Sequence, residues 1–119
     1  MKLPNNPLQY KSYDLALLIV KLSKKLIKEK KEYILSKQIL RSGTSVGANI
    51  VEANGAISKA DFSAKMSIAY KECLETKYWL HLLKDSDDLD IKEFNILFEK
   101  VDEIGRILFS ILKTTRINK

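Results

Sequence analysis

Apolar side chains recur along this chain at alternating intervals of three and four residues, and the pattern restarts in four places. Such alternation keeps apolar groups on one helical face, so each restart predicts a separate amphipathic helix. The first is expected over about residues 8–28, with Asn6-Pro7 as cap and first-turn proline and Ser12 as an alternative cap. Its stripe is Leu15, Leu18, Ile19, Leu22 and Leu26, widened by Ala16, Val20 and Ile27. A stripe that wide calls for neighbours on more than one side. Lys28 to Lys31 is expected to form the first turn.

The second helix is expected over about residues 32–54, ending where Asn54-Gly55 tolerates left-handed geometry. Leu35, Ile39, Gly43, Val46, Ile50 and Ala53 make its seam. A polar line, Gln38, Arg41, Ser45, Asn49 and Glu52, runs beside it. Both periodicities pass through Gly43 and Gly47 without a break. Two interior glycines cost a helix about 1 kcal/mol each relative to alanine, so close packing of a partner helix is expected there.

The third helix, about 59–85, opens on the capping-box pattern Ser58-Lys59-Ala60-Asp61. Phe62, Met66, Ala69, Cys73, Thr76, Leu80 and Leu83 form an unbroken seam. Asp85-Ser86-Asp87-Asp88 interrupts it. Asp90-Ile91-Lys92-Glu93 repeats the cap and opens a fourth helix, about 91–113, with Phe94, Leu97, Val101, Ile104, Leu108 and Ile111 on its seam. A basic tail, Lys113 to Lys119, follows, with Lys113 and Arg116 placed to favour the helix dipole. Nothing reads as a strand. The fold class is all-α, an antiparallel up-down-up-down four-helix bundle.

If the hairpin between helices two and three turns near Ala56 and Ile57, Arg41 faces Glu72, Gln38 faces Glu75 and Ser45 faces Ile68. An Arg41–Glu72 ion pair is therefore expected, with Gln38 joining Glu75. The line reads either as a buried structural network or as a surface at a subunit junction.

Composition narrows the class. With 119 residues, 45% hydrophobic and 30% charged, the chain has the size of one domain with a real core. No apolar run is long enough to span a bilayer, since Leu15–Val20 is soon closed by Lys21, Lys24 and Lys25. Met1-Lys2-Leu3-Pro4 lacks the features of a signal peptide, so a cytoplasmic location is expected. Cys73, the one cysteine, is expected to be a small core residue.

Charge is unevenly placed. The first 60 residues carry 11 Lys/Arg against 4 Asp/Glu, a balance of +7, and the remainder balances at −1. Lys21, Lys24, Lys25, Lys28, Lys31 and Lys37 concentrate the excess. They read either as a solvated face or as a patch that contacts phosphates.

Catalytic readings are weak. Gly43-Thr44-Ser45-Val46-Gly47 matches the G-x-S-x-G nucleophile elbow, but an elbow needs a strand before it and a triad after it. His81, the one histidine, falls far along the helices from Ser45. His81 and Cys73 offer no metal set, and Asp85, Asp87, Asp88 and Asp90 lack the glycine and distal glutamate of a calcium loop. No cofactor and no enzymatic activity are expected.

Tyr33, Leu35, Gln38, Arg41, Ser42, Ser45, Asn49-Ile50 and Glu52, followed by Ser58-Lys59-Ala60-Asp61-Phe62, Ser67-Ile68-Ala69, Glu72 and Glu75-Thr76-Lys77-Tyr78-Trp79-Leu80, carry a resemblance. The chain resembles, over nearly its whole length, the four-helix-bundle proteins encoded in intervening sequences of bacterial 23S ribosomal RNA genes. The pattern Q-x-x-R-x-x-x-S-x-x-x-N-I stands intact from Gln38 to Ile50. Val51 and Ala53-Asn54 depart from the Asn-Ile-Ala-Glu-Gly of many members, and no proline separates the first two helices. The family is also similar to accessory proteins of diversity-generating retroelements, homopentameric bundles that bind nucleic acid with a reverse transcriptase partner. The resemblance implies a closed ring of identical subunits with a basic surface. Tyr70, Leu74 and Tyr78-Trp79 add apolar surface beyond the seams; part of it reads as surface for a neighbouring subunit, and each aromatic reads alternatively as core within the subunit. The expected function is a non-catalytic homo-oligomer, pentameric by this resemblance, that binds RNA or DNA through Lys21, Lys24, Lys25, Lys28, Lys31 and Lys37. The alternative is a protein-interaction scaffold whose lysines serve solubility.

Overall fold

The computed structural model describes residues 6–117, with side chains through Thr115. Met1 to Pro4, on which the leader reading rests, and the Arg116 side chain, Asn118 and Lys119 of the basic tail lie outside the described residues. The chain forms α1 (Pro7–Lys30), α2 (Leu35–Asn54), α3 (Lys59–Asp85) and α4 (Ile91–Ile117). No strand occurs among the described residues. Each helix packs on the next, and α4 closes back on α1. The result is an antiparallel bundle measuring 47 × 29 × 21 Å.

Its ends are set by side chains that satisfy exposed backbone groups. Asn6 Oδ1 accepts from the N–H groups of Leu8 and Gln9 at 3.0 and 3.3 Å. Ser58 Oγ accepts from Asp61 N–H at 3.0 Å, while Asp61 reaches back to Ile57 N–H at 3.3 Å. Asp90 Oδ1 accepts from Glu93 N–H at 2.8 Å.

Three boundaries differ from the sequence expectation. α1 continues through Lys30, and Lys31, left-handed at φ 54°, ends it by donating its N–H to the Leu26 carbonyl. Glu32 then precedes α2 instead of starting it, because its carboxylate accepts from the N–H groups of Ile34 and Leu35. The turn is therefore Lys31–Ile34, not Lys28–Lys31. α4 extends to Ile117, and within its last turns Leu112 is buried whereas Ile111 is half-buried.

The interior follows the seams. Leu15, Ile19 and Leu26 of α1, Ile39, Val46 and Ile50 of α2, Leu80 and Leu83 of α3, and Val101, Ile104 and Leu108 of α4 are all buried. At Gly43 and Gly47, α1 lies close against α2. A Cβ on Gly43 would lie 2.8 Å from Ile19 Cγ1, and one on Gly47 would lie 3.3 Å from Ser12 Oγ. The contact that alanine would obstruct offsets the helical cost of glycine.

α1 and α4 share the thinnest seam of the bundle. Among the described residues three ion pairs span it: Lys11–Glu103 at 3.1 Å, Asp14–Lys100 at 3.3 Å and Lys25–Glu93 at 3.2 Å.

Candidate nucleic-acid interface

Helical geometry sorts the α1 lysines onto different faces. Residues 15, 19, 22 and 26 point inward, so at 100° per residue positions 21, 24 and 28 point outward. Lys21, Lys24 and Lys28 are exposed and make no ion pair among the described residues. Lys25 is different. It faces α4, where the hydrogen bond and charge of Glu93 hold its ammonium above the usual lysine range.

Lys31 and Lys37 are exposed too, Lys31 in the turn and Lys37 on the outer face of α2. Of the six lysines singled out by sequence, three therefore share one unpaired face. Two stand on neighbouring elements, and one is committed to an interhelical pair.

The same face continues towards the start of α1 through Tyr10, Tyr13 and Leu17, all exposed. The series 10, 13, 17, 21, 24, 28 keeps three/four spacing and contains no acidic residue. This periodicity was available in the sequence, but the stronger buried stripe from Leu15 onward masks it. Beside the lysine end, Glu29, Asp87, Asp88, Asp90 and Glu93 line a cleft of about 410 Å³ between α1 and the α3–α4 turn. That acidic border leaves the outward face of α1 as the favourable approach for a polyanion.

The polar line of α2 is positioned against α3. Arg41 Nη1 lies 3.2 Å from Glu72 Oε2, and its other terminal nitrogen pairs with Glu75. Gln38 makes no hydrogen bond to Glu75 among the described residues. The reason is register. Glu52–Lys65 at 2.9 Å and Ser42–Thr76 at 2.9 Å centre the hairpin near Ser58, later than the Ala56–Ile57 expected. Arg41 thus stands between two acids one turn apart, while Gln38 falls beyond Glu75.

Nor is the line a buried network. The Arg41 side chain is 50% exposed, and Gln38, Ser45 and Asn49 are half-buried, with Asn49 Nδ2 donating to the Ser45 carbonyl at 2.8 Å. A buried polar contact between α2 and α3 is one the spacing did not single out. Thr76 Oγ1 lies within hydrogen-bond distance of both Ser42 Oγ and the Glu72 carbonyl, and both side chains are buried.

Ser45 sits in mid-α2, so Gly43–Gly47 is continuous helix and forms no elbow. His81 packs its ring against Phe94 and Phe98 on the α3–α4 side. Among the described residues no His/Cys/Asp/Glu group could hold a metal ion. No helix among them is long and apolar enough to cross a membrane.

A second exposed surface lies on α3. Leu74, Tyr78 and Leu82 are exposed at four-residue spacing, and Tyr78 meets Trp79 edge-on at 5.1 Å. Trp79 itself packs on the core and donates Nε1–H to Glu75 at 3.0 Å.

The sequence model of one family, described as 23S rRNA-intervening sequence protein, matches residues 5–110. A solved structure from Bacteroides thetaiotaomicron, described as a protein of unknown function from the S23 ribosomal protein family, is 47% identical to this chain. The match covers 89% of this chain and 98% of that one, with a TM-score of 0.88. Among curated proteins none matches.

Proposed function

This chain belongs to the 23S rRNA-intervening sequence protein family, and from that premise we propose that it is a non-catalytic, homo-oligomeric nucleic-acid-binding protein of the cytoplasm. The observation that carries the reading is the set Lys21, Lys24 and Lys28, three exposed cations on one helix face with no acidic partner among the described residues. Lys31 and Lys37 extend it onto neighbouring elements, and Lys25 contributes long-range charge while paired to Glu93. Lysines in such an array bind phosphates and carry little base information. RNA and DNA are both substrates of this surface.

Assembly is the second part of the reading. Leu74, Tyr78 and Leu82 form an apolar stripe that a neighbouring subunit would cover. The resemblance to the retroelement accessory proteins supports five subunits, with a reverse transcriptase as the analogous partner. A ring would multiply the +6 of each chain and strengthen the attraction for polyanions. The same stripe favours one alternative, a protein-interaction scaffold in which the lysines only confer solubility.

Light scattering before and after nuclease treatment tests both parts together. The expected result is a mass several times that of one chain, with bound nucleic acid that nuclease removes. A nucleic-acid-free monomer that shifts no RNA or DNA even at low salt would overturn the proposal. Capture of a protein partner unaffected by lysine-to-glutamate changes would favour the scaffold.

A further inference from the structure

We propose that the outer face of α1 binds single-stranded nucleic acid, with Tyr13 and Tyr33 as base-stacking platforms at either end of the lysine row; this rests on the nucleic-acid reading above. Tyr13 is 47% exposed and Tyr33 is 57% exposed. Neither ring makes a hydrogen bond, ring contact or cation–π contact among the described residues. Tyr13 occupies the same outward face as Lys21, Lys24 and Lys28, and Tyr33 lies in the turn directly after α1. Tyr10 shares the face but borders Lys11, Asp14 and Lys100 on the α4 side, which leaves Tyr13 as the outward ring.

The distribution of chemistry along this face decides between strand and duplex. Fifteen residues of helix separate Tyr13 from Lys28, about 22 Å at the helical rise. A duplex laid along that row would offer phosphates to the lysines but no base faces to the tyrosines, since its bases are stacked inside. A single strand offers both: its backbone tracks the cations while its unpaired bases stack on exposed aromatic rings. No acidic side chain interrupts the face from Tyr13 to Lys28, and neighbouring Asp14 is paired with Lys100 across the α4 seam, while Glu32, before Tyr33, turns its carboxylate to the N–H groups of Ile34 and Leu35. Aromatic rings flanking a cationic row are the arrangement that sequence-tolerant strand binding requires.

The test compares the full-length protein on a labelled strand of about 20 nucleotides, longer than a typical 4–16-nucleotide site, with the duplex of the same sequence. Fluorescence anisotropy is the readout. The wild type is expected to favour the strand. Tyr13→Ala should weaken strand binding about tenfold while leaving duplex binding unchanged, and Tyr13→Phe, which keeps the ring, should restore it. Tyr33→Ala should act in the same direction. Because both side chains are exposed, circular dichroism of each variant should match the wild type. Tyr13→Ala affecting neither ligand, or both equally, would overturn the stacking inference. The nucleic-acid reading would survive that outcome if Lys21→Gln/Lys24→Gln/Lys28→Gln still weakened binding to both ligands. Loss of neither in the lysine variant would overturn both proposals.

Discussion

Gly43 of α2 faces Ile19 of α1 at a separation that leaves no room for a methyl group. A Cβ there would lie 2.8 and 2.9 Å from Ile19 Cγ1 and Cγ2. Ile19 is fully buried and β-branched, so it has little rotamer freedom with which to yield. Gly43→Ala should therefore destabilise the bundle by about 1–2 kcal/mol despite the better helix propensity of alanine. Gly47→Ala, whose nearest neighbour is Ser12 Oγ at 3.3 Å, should stay within about 0.5 kcal/mol of wild type because propensity and crowding nearly cancel. In an Ile19→Ala background the Gly43→Ala cost should disappear. Urea unfolding of the four proteins checks this; equal costs in both backgrounds would contradict it.

Lys31 and Asp87 hold left-handed backbone at φ 54° and 64°. That conformation strains an L-residue and suits glycine. Lys31→Gly and Asp87→Gly should each raise stability by about 0.5–1 kcal/mol, seen as an increase in Tm of a few degrees. A decrease in either would mean that the side chain contributes more than its backbone costs.

Arg41 ties α2 to Glu72 and Glu75 of α3. The guanidinium is half-exposed, so the gain is modest: Arg41→Ala should cost about 1 kcal/mol at low salt, and less as salt is added. A double-mutant cycle between Arg41 and Glu72 should return a coupling of about 0.5–1 kcal/mol. Zero coupling would show the pair to be structurally idle.

Burial pushes the Cys73 thiol up to about 12. Folding thus favours the protonated thiol, and this contribution is complete below the ordinary cysteine value near 9.0. As pH rises from there towards 12 the unfolded chain ionises first, so stability should fall over that window. Cys73→Ala should flatten the cysteine part of the decline. In the native protein at neutral pH, a thiol reagent should label Cys73 only on unfolding.

The fold was largely legible because each seam keeps its three/four alternation, and that of α2 runs past Gly43 and Gly47 without a break. Boundaries were less so. Lys31 ends α1 in a conformation usually given to glycine, and a glutamate caps α2 where Ser, Thr, Asp or Asn is the usual signal. The Arg41 contact followed from hairpin geometry, but a later turn centre gave it Glu75 as well and left Gln38 aside. At the candidate interface, spacing alone could list six lysines. Separating Lys25 from Lys21, Lys24 and Lys28 required knowing that Glu93, 68 residues away, stands opposite it.

The central claim is that Lys21, Lys24 and Lys28 meet phosphates directly, and the salt dependence of binding to a single strand measures this most directly. Each phosphate contact adds roughly 0.7 to the slope of log affinity against log salt, so Lys21→Gln/Lys24→Gln/Lys28→Gln should lower its magnitude by about 2 per subunit engaged. An unchanged slope, with the variant folded and assembled as wild type, would contradict the claim.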